Sequence, residues 1–163
     1  MAAFIYQWTR GEYKAHHSAG KKVLDHAASS MFQKRGLDKG DYLYVVACFS
    51  DTLYLMGRLD LDAVLNPAGA AERFRRPVAE FESHTDHAVC AKGEEGFLHF
   101  DLVVPNEVVA RLAFANGTLP KMVETATGVA PNGQTFRTVR ELSDAAEDAL
   151  DELLLAHEAK LPD

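Results

Sequence analysis

The chain has 163 residues, of which 47% are hydrophobic and 25% are charged, and its formal net charge is −7. This length and composition are typical of one globular domain with a well-filled core, and we find no internal repeat or low-complexity tract. The negative charge argues against binding to a phosphate backbone over the whole surface.

The charge is distributed unevenly along the chain. Residues 141–163 contain eight acidic residues against the single basic residue Lys160, whereas residues 1–140 contain 16 acidic and 16 basic residues. The body of the protein is therefore neutral, and a local basic groove on it is compatible with an acidic chain.

The sequence predicts a cytoplasmic protein with no membrane partner. Its longest uncharged apolar run, 42–49, is far shorter than the roughly 20 residues that span a bilayer. The segment 1–8 lacks the basic start of a signal peptide. Two cysteines, Cys48 and Cys90, are too few for a secreted disulfide framework, so we expect buried, reduced thiols.

The N-terminal elements are predicted from apolar spacing. Residues 3–9 are apolar and aromatic and predict a strand. A polar loop follows, which contains Arg10, Glu12 and the pair His16–His17. Apolar residues then recur at helical spacing. They predict a helix over 21–35, with Gly36 at its C-cap.

The segment 40–65 predicts a hairpin at the centre of a sheet. Its first limb, 42–49, is apolar on both faces and must be covered on both, as in a small closed barrel with helices packed outside. The second limb follows a turn at 50–52. There leucines alternate with more polar residues, the two-residue period of a strand with one buried face. The predicted fold class is α+β, a small mixed, curved β-barrel.

The remaining elements follow the breaker residues. We expect a helical turn over 70–76, strands over 77–83, 88–92 and 97–104, a hairpin turn at 93–96, a short helix over 107–114 and an irregular stretch over 118–136. A final acidic helix is predicted over about 143–160, with Ser143 as its N-cap and Asp144 in its first turn. The whole chain, 1–163, is expected to form one domain.

Aromatic side chains are the leading candidates for a binding site. Tyr6, Trp8 and Tyr44 lie on predicted strands, where rings could line one mouth of a barrel and sandwich a planar base. Thr9 and Arg10 directly follow the only tryptophan, as expected where a strand leaves the core and enters a site. Aromatic residues at strand spacing are also common in a plain core, so both interpretations stay open.

Two basic clusters are candidates for phosphate contacts. One is the group Arg73, Arg75 and Arg76, and the other is the pair Lys21–Lys22. Charged clusters of this kind are also found on ordinary solvated faces.

The segment 84–90 holds the densest group of residues that could ligate a metal. His84, His87 and Cys90 are of the types that zinc accepts. Their spacing is not that of a zincin helix, and no second ligand pair occurs at zinc-ribbon spacing. A loop histidine pair and a core cysteine are therefore the preferred interpretation, and a metal site is the alternative.

The order of motifs resembles a known superfamily. The order is a first strand with an early tryptophan at 6–9, a helix, Gly-Asp followed by an apolar strand at 39–46, a short turn, and a strand with Gly-Arg-x-x-x-Asp at 53–64. This order is similar to that of PUA-like proteins, closest to the EVE type. The resemblance implies a curved mixed barrel with helices outside. It also implies a pocket for a single, often modified, nucleobase, with Trp8 and Thr9 at the pocket and Asp41 and Gly57 in structural roles.

Three functions are compatible with these features. The first is a non-enzymatic module that uses no cofactor and binds one unpaired base, plain or modified, of DNA or RNA. The second is a protein-interaction or regulatory domain whose acidic C-terminal helix docks on a basic partner. The third is a metal-dependent hydrolase that uses His84 and His87.

Overall fold

The computed structural model describes residues 1–161 and shows a mixed α+β fold. The helices are α1 Arg10–Ser18, α2 Pro67–Phe74, α3 Asn106–Val109 and α4 Asp144–Glu158, and 3₁₀ turns occupy Val78–Phe81 and Gly133–Phe136. The strands are β1 Ala3–Trp8, β2 Val23–Leu24, β3 His26–Ser29, β4 Tyr42–Phe49, β5 Thr52–Asp60, β6 Ala63–Leu65, β7 Asp86–Val89, β8 Gly96–Phe97, β9 Val103–Val104, β10 Met122–Thr125, β11 Gly128–Pro131 and β12 Arg140–Glu141. No helix in residues 1–161 is long and apolar enough to cross a membrane.

A five-stranded mixed sheet is the centre of the molecule. Its strand order is β12-β1-β4-β5-β9, in which β1 and β4 are parallel and the other pairs are antiparallel. The remaining strands form a three-stranded sheet, β3-β7-β6, and the pairs β2-β8 and β10-β11. These four sheets are separate among the described residues, so the α+β class is confirmed and closure into a barrel is not.

Both faces of the central sheet are buried. One core contains Phe4, Trp8 and Met56 and lies against the three-stranded sheet and its flanking loops. The other contains Ile5, Leu55 and the buried face of α4. The two-sided apolar character of 42–49 thus predicts the layering correctly, because each face of β4 packs into a different core.

The central hairpin is confirmed, with one correction in its second limb. Ser50 and Asp51 turn the chain with φ of 52° and 59°, the left-handed pair of a type I′ hairpin. The pairing of β4 with β5 shifts between Val45 and Val46, where a bulge leaves Met56 without a partner. Leucines on the two sides of the bulge therefore face opposite cores, and β5 is buried on both faces rather than on one.

Two predictions near the N-terminus are wrong. The predicted loop after β1 is helix α1, which begins with a capping box: Thr9 Oγ1 accepts from Glu12 N and Glu12 Oε1 accepts from Thr9 N. The predicted helix over 21–35 is instead β2, β3 and a turn. Pairing of β2 with β8 and of β3 with β7 overrides the local helical spacing.

Later elements are partly as predicted. Helix α2 and the acidic helix α4 form, and Ser143 Oγ accepts from Ala146 N at the start of α4. Segment 77–83 is a 3₁₀ turn rather than a strand. The two strands flanking residues 93–96 pair with other strands, so no hairpin forms there. The stretch predicted as irregular contains the β10-β11 hairpin.

Candidate nucleic-acid interface

The aromatic residues predicted to share a pocket are divided between the two cores. Tyr6 pairs with Val45 across β1 and β4, so Tyr6 and Trp8 face one core while Tyr44 faces the other. All three side chains are buried. Trp8 is also covered by His16, whose ring stacks on the indole at a centroid distance of 4.4 Å. The structure therefore does not bring these rings together around a ligand.

The polar neighbours of Trp8 lie at the surface. Thr9 is exposed and caps α1, and exposed Arg10 places its guanidinium carbon 5.8 Å from the centre of the Phe49 ring. Tyr44 hydroxyl donates to Asp151 Oδ1 at 2.5 Å, and the same oxygen accepts from Arg58 at 3.2 Å. Burial and this carboxylate together raise the pKa of Tyr44, so the phenol stays protonated and ties β4 to α4.

The residues predicted to contact phosphate are mostly paired with acids. Arg73 binds Asp62 and donates to the carbonyl of Cys90. Arg76 and Lys21 each pair with an acidic residue four positions on, Glu80 and Asp25 respectively. Arg75 and Lys22 are exposed and make no ion pair within residues 1–161. This surface thus offers fewer available cations than its sequence indicates.

Two of the three residues predicted as metal ligands, His87 and Cys90, have structural contacts, and His84 contributes its backbone carbonyl oxygen, 3.1 Å from His87 Nε2. His87 is buried, with Nδ1 2.7 Å from His26 Nε2 and Nε2 2.8 Å from the carbonyl oxygen of Phe81. Cys90 is buried, and its pKa is raised to about 11, chiefly by burial. In the part of the chain that the structure describes, no group of three or more His, Cys, Asp or Glu side chains is arranged to hold a metal ion.

A basic groove that the sequence did not predict lies at the β12 edge of the central sheet. It consists of two hollows of about 350 and 510 Å³ that share Arg140. The first hollow is lined by Phe4, Lys34, Arg35, Phe114, Ala115, Asn116, Arg140 and Glu141, and the second by Thr118, Leu119, Lys121, Asn132, Gln134, Thr135, Thr138 and Arg140. We call these residues together the basic groove.

Three distant segments, near residues 35, 115 and 140, form this groove together with Phe4 of β1. Arg140 opposes Ile5 where β12 pairs with β1. Lys34 and Arg35 lie in a turn that closes when Leu37 N donates to the carbonyl of Phe32. The segment around Phe114 reaches β12 through backbone bonds, one of which runs from Ala115 N to the carbonyl of Glu141 at 2.9 Å.

Few negative charges lie near the cations of the groove. Lys34, Arg35, Lys121 and Arg140 line it against one carboxylate, Glu141, and none of the four forms an ion pair within residues 1–161. Burial and, next, the nearby charge of Arg35 lower the pKa of Arg140. An arrangement of this kind attracts anions, because adjacent uncompensated cations repel each other until a negative group joins them.

Arg140 is also held in a defined position. Its guanidinium carbon is 3.5 Å from the centroid of the Phe114 ring, and that ring is itself 98% buried. Asn, Gln, Thr and Lys side chains surround the second hollow and offer hydrogen-bond donors and acceptors beside the cations. The groove can therefore bind an anionic group and make directional polar contacts next to it.

The fold and this groove define the chain as an α+β protein with a concave basic surface. No protein-family model, curated protein or solved structure matches the chain.

Proposed function

We propose that this protein is a non-enzymatic cytoplasmic module that binds single-stranded nucleic acid in the basic groove. The observation that carries the proposal is that four cations line two adjoining hollows, although the net charge of the chain is −7. None of these cations has an ion-pair partner within residues 1–161. Non-specific attraction elsewhere on this acidic protein is weak, so the groove provides the contacts with phosphate.

The dimensions and chemistry of the groove favour a flexible strand. Each hollow falls within the roughly 300–1,000 Å³ range of small-ligand sites. A strand that places a phosphate at Arg140 can direct its neighbouring groups toward Asn116 on one side and toward Asn132 and Gln134 on the other. Phosphate contacts would then position the strand, while amide groups contact base edges.

The proposal differs from the sequence prediction in where the nucleic acid lies. It does not use Tyr6, Trp8 or Tyr44, because their rings pack in the cores. A PUA-like origin of the fold and recognition of a modified base stay predictions. Binding in the basic groove depends on neither.

The test is a fluorescence-anisotropy titration of a labelled mixed-sequence oligonucleotide, as single-stranded DNA and as RNA, at low salt. The double variant Arg35→Gln/Arg140→Gln removes two groove cations. The control Arg75→Gln/Lys92→Gln removes two cations around the hollow beside α2, close to the cluster predicted from sequence. Thermal unfolding of each variant confirms that it is folded.

We expect the groove variant to weaken binding by about tenfold or more, since charge-assisted hydrogen bonds to phosphate are lost. The control should bind within about twofold of the wild type, as usual for a surface change away from the site. A larger loss of affinity in the control than in the groove variant would show that the binding site lies on the α2 surface instead. No binding of the wild type at protein concentrations of about 100 µM, the weak end of non-specific affinity, would refute the proposal.

A further inference from the structure

A second concave surface has the opposite charge. It lies between α4 and strands β5 and β8 and encloses about 330 Å³. Its lining consists of Arg58, Asp60, Glu94, Glu95, Gly96, Phe97, Asp151, Leu154, Leu155 and Glu158. We call this surface the acidic cleft. It shares no residue with the basic groove.

Two large apolar side chains of the acidic cleft are exposed. Phe97 is 55% exposed and Leu155 is 71% exposed. The backbone of Phe97 is fixed by pairing of β8 with β2 and by close approach to Gly57. Leu155 is on the outer side of α4, whereas Leu154 beside it is buried. Both exposed side chains line a concavity, which is typical of an anchor site for an apolar group.

The rim of the cleft is negatively charged. Its lining contains five carboxylates and one guanidinium, a net charge of −4. Arg58 lies between Asp60 and Asp151, with nitrogen–oxygen distances of 2.8 and 3.2 Å. Glu94 and Glu95 are exposed and form no ion pair among residues 1–161. They are therefore free to meet a cation.

We propose that the acidic cleft docks a basic segment of a partner protein, in which an apolar side chain is flanked by lysine or arginine. The apolar anchor would contact Phe97 and Leu155, and the flanking cations would meet Glu94 and Glu95. Charge complementarity selects this occupant over an acidic or a purely apolar one. The proposal does not depend on nucleic-acid binding, which uses other residues.

The probe is a short labelled peptide of alternating lysine and leucine, titrated by fluorescence anisotropy. Two comparison peptides replace its leucines by serine or its lysines by glutamate. The test variants are Phe97→Ser/Leu155→Ser, which removes the anchors, and Glu94→Gln/Glu95→Gln, which removes rim charge. All four residues are exposed, so folding should be preserved, and thermal unfolding checks this.

Matched control variants change the same residue types elsewhere. Val123→Ser/Val129→Ser removes two exposed apolar side chains of the β10-β11 hairpin, and Asp148→Asn/Glu152→Gln removes two exposed acids of α4 outside the cleft. The cleft variants should each weaken peptide binding by about tenfold, as expected when interface anchors are lost. The controls should remain within about twofold of the wild type.

Several results would overturn the proposal. These are failure of the lysine–leucine peptide to bind, equal binding of the lysine–serine peptide, or equal losses in test and control variants. The wild type could instead self-associate, and both the cleft variant Phe97→Ser/Leu155→Ser and the groove variant Arg35→Gln/Arg140→Gln could abolish this association. That result would make the cleft an interface between copies of this chain. Unless copies associate through the cleft and the groove, nucleic-acid binding by the cleft variants should match that of the wild type, because the two surfaces share no residue. Failure of one proposal is therefore distinguishable from failure of the other.

Discussion

Gly57 packs directly against the backbone of Phe97. A Cβ atom on Gly57 would lie 2.6 Å from the Phe97 carbonyl oxygen, and one on Gly96 would lie 2.8 Å from the carbonyl oxygen of Arg58. Each strand thus contributes a glycine at the point where β5 and β8 meet. This contact fixes the floor of the acidic cleft and leaves the ring of Phe97 at the surface.

We predict that Gly57→Ala destabilises the protein by about 1–3 kcal/mol, the cost of overpacking a site whose neighbour is backbone and cannot rotate away. The measurement is the free energy of unfolding in urea. Gly11→Ala is the control, because its Cβ would be 3.8 Å from the nearest side-chain atom and the residue lies in α1. That control should be neutral or stabilising by up to about 1 kcal/mol. Equal stability of Gly57→Ala and the wild type would contradict the packing argument.

The parts of the fold that were predicted from sequence are those encoded locally. The central hairpin has its turn residues and apolar strands within 26 consecutive positions, and α4 has a Ser143 cap and a buried face at helical spacing. Helix α1 also had a local signal, the Thr9-x-x-Glu12 capping box. The prediction of a loop there is wrong because this cap satisfies the first backbone donors of a helix.

The parts that were missed depend on distant pairing. Residues 21–35 have helical spacing, but β3 pairs with β7 some 60 residues later in the sequence. The division of Tyr6 and Tyr44 between the two cores follows from the register of β1 against β4, which neither segment encodes alone. The basic groove joins residues near 35, 115 and 140, so no single window of sequence indicates it.

The hydroxyl group of Tyr44 is predicted to be structural. Tyr44→Phe should lower the free energy of unfolding by about 1.5 kcal/mol, because it removes a hydrogen bond to the charged Asp151 while retaining the ring. Tyr42→Phe is the control. The Tyr42 ring packs under Arg58, and its hydroxyl has no hydrogen-bond partner within residues 1–161, so we expect a change below about 0.5 kcal/mol. A larger loss in Tyr42→Phe than in Tyr44→Phe would refute this assignment.

The pair His26–His87 is predicted to make stability depend on pH. His87 Nε2 lies 2.8 Å from the carbonyl oxygen of Phe81 and donates to it, and His87 Nδ1 is the acceptor for His26 Nε2 at 2.7 Å. Burial, followed by the nearby His87 and Lys21, lowers the pKa of His26 from its ordinary 6.5 to about 4. The folded state therefore disfavours the protonated form of His26. The stability that the neutral His26 contributes is complete above pH 6.5 and is lost as the pH falls toward about 4.

Urea unfolding at a series of pH values between 7 and 4 measures this effect. The wild type should lose stability with a slope of up to about 1.4 kcal/mol per pH unit from this one group. His26→Gln keeps an amide donor for His87 and removes the titration, so its slope should be smaller. Identical slopes in the two proteins would show that His26 is not responsible.

The salt dependence of nucleic-acid binding should report the four cations of the basic groove. If Lys34, Arg35, Lys121 and Arg140 each neutralise one phosphate of a single strand, the plot of log affinity against log salt concentration has a slope of about −3. Arg35→Gln/Arg140→Gln should make this slope shallower by about 1.4, since two released counterions are lost. Arg75→Gln/Lys92→Gln should leave it unchanged. Affinity that does not vary with salt would contradict binding through these cations, because neutralising phosphates necessarily displaces their counterions.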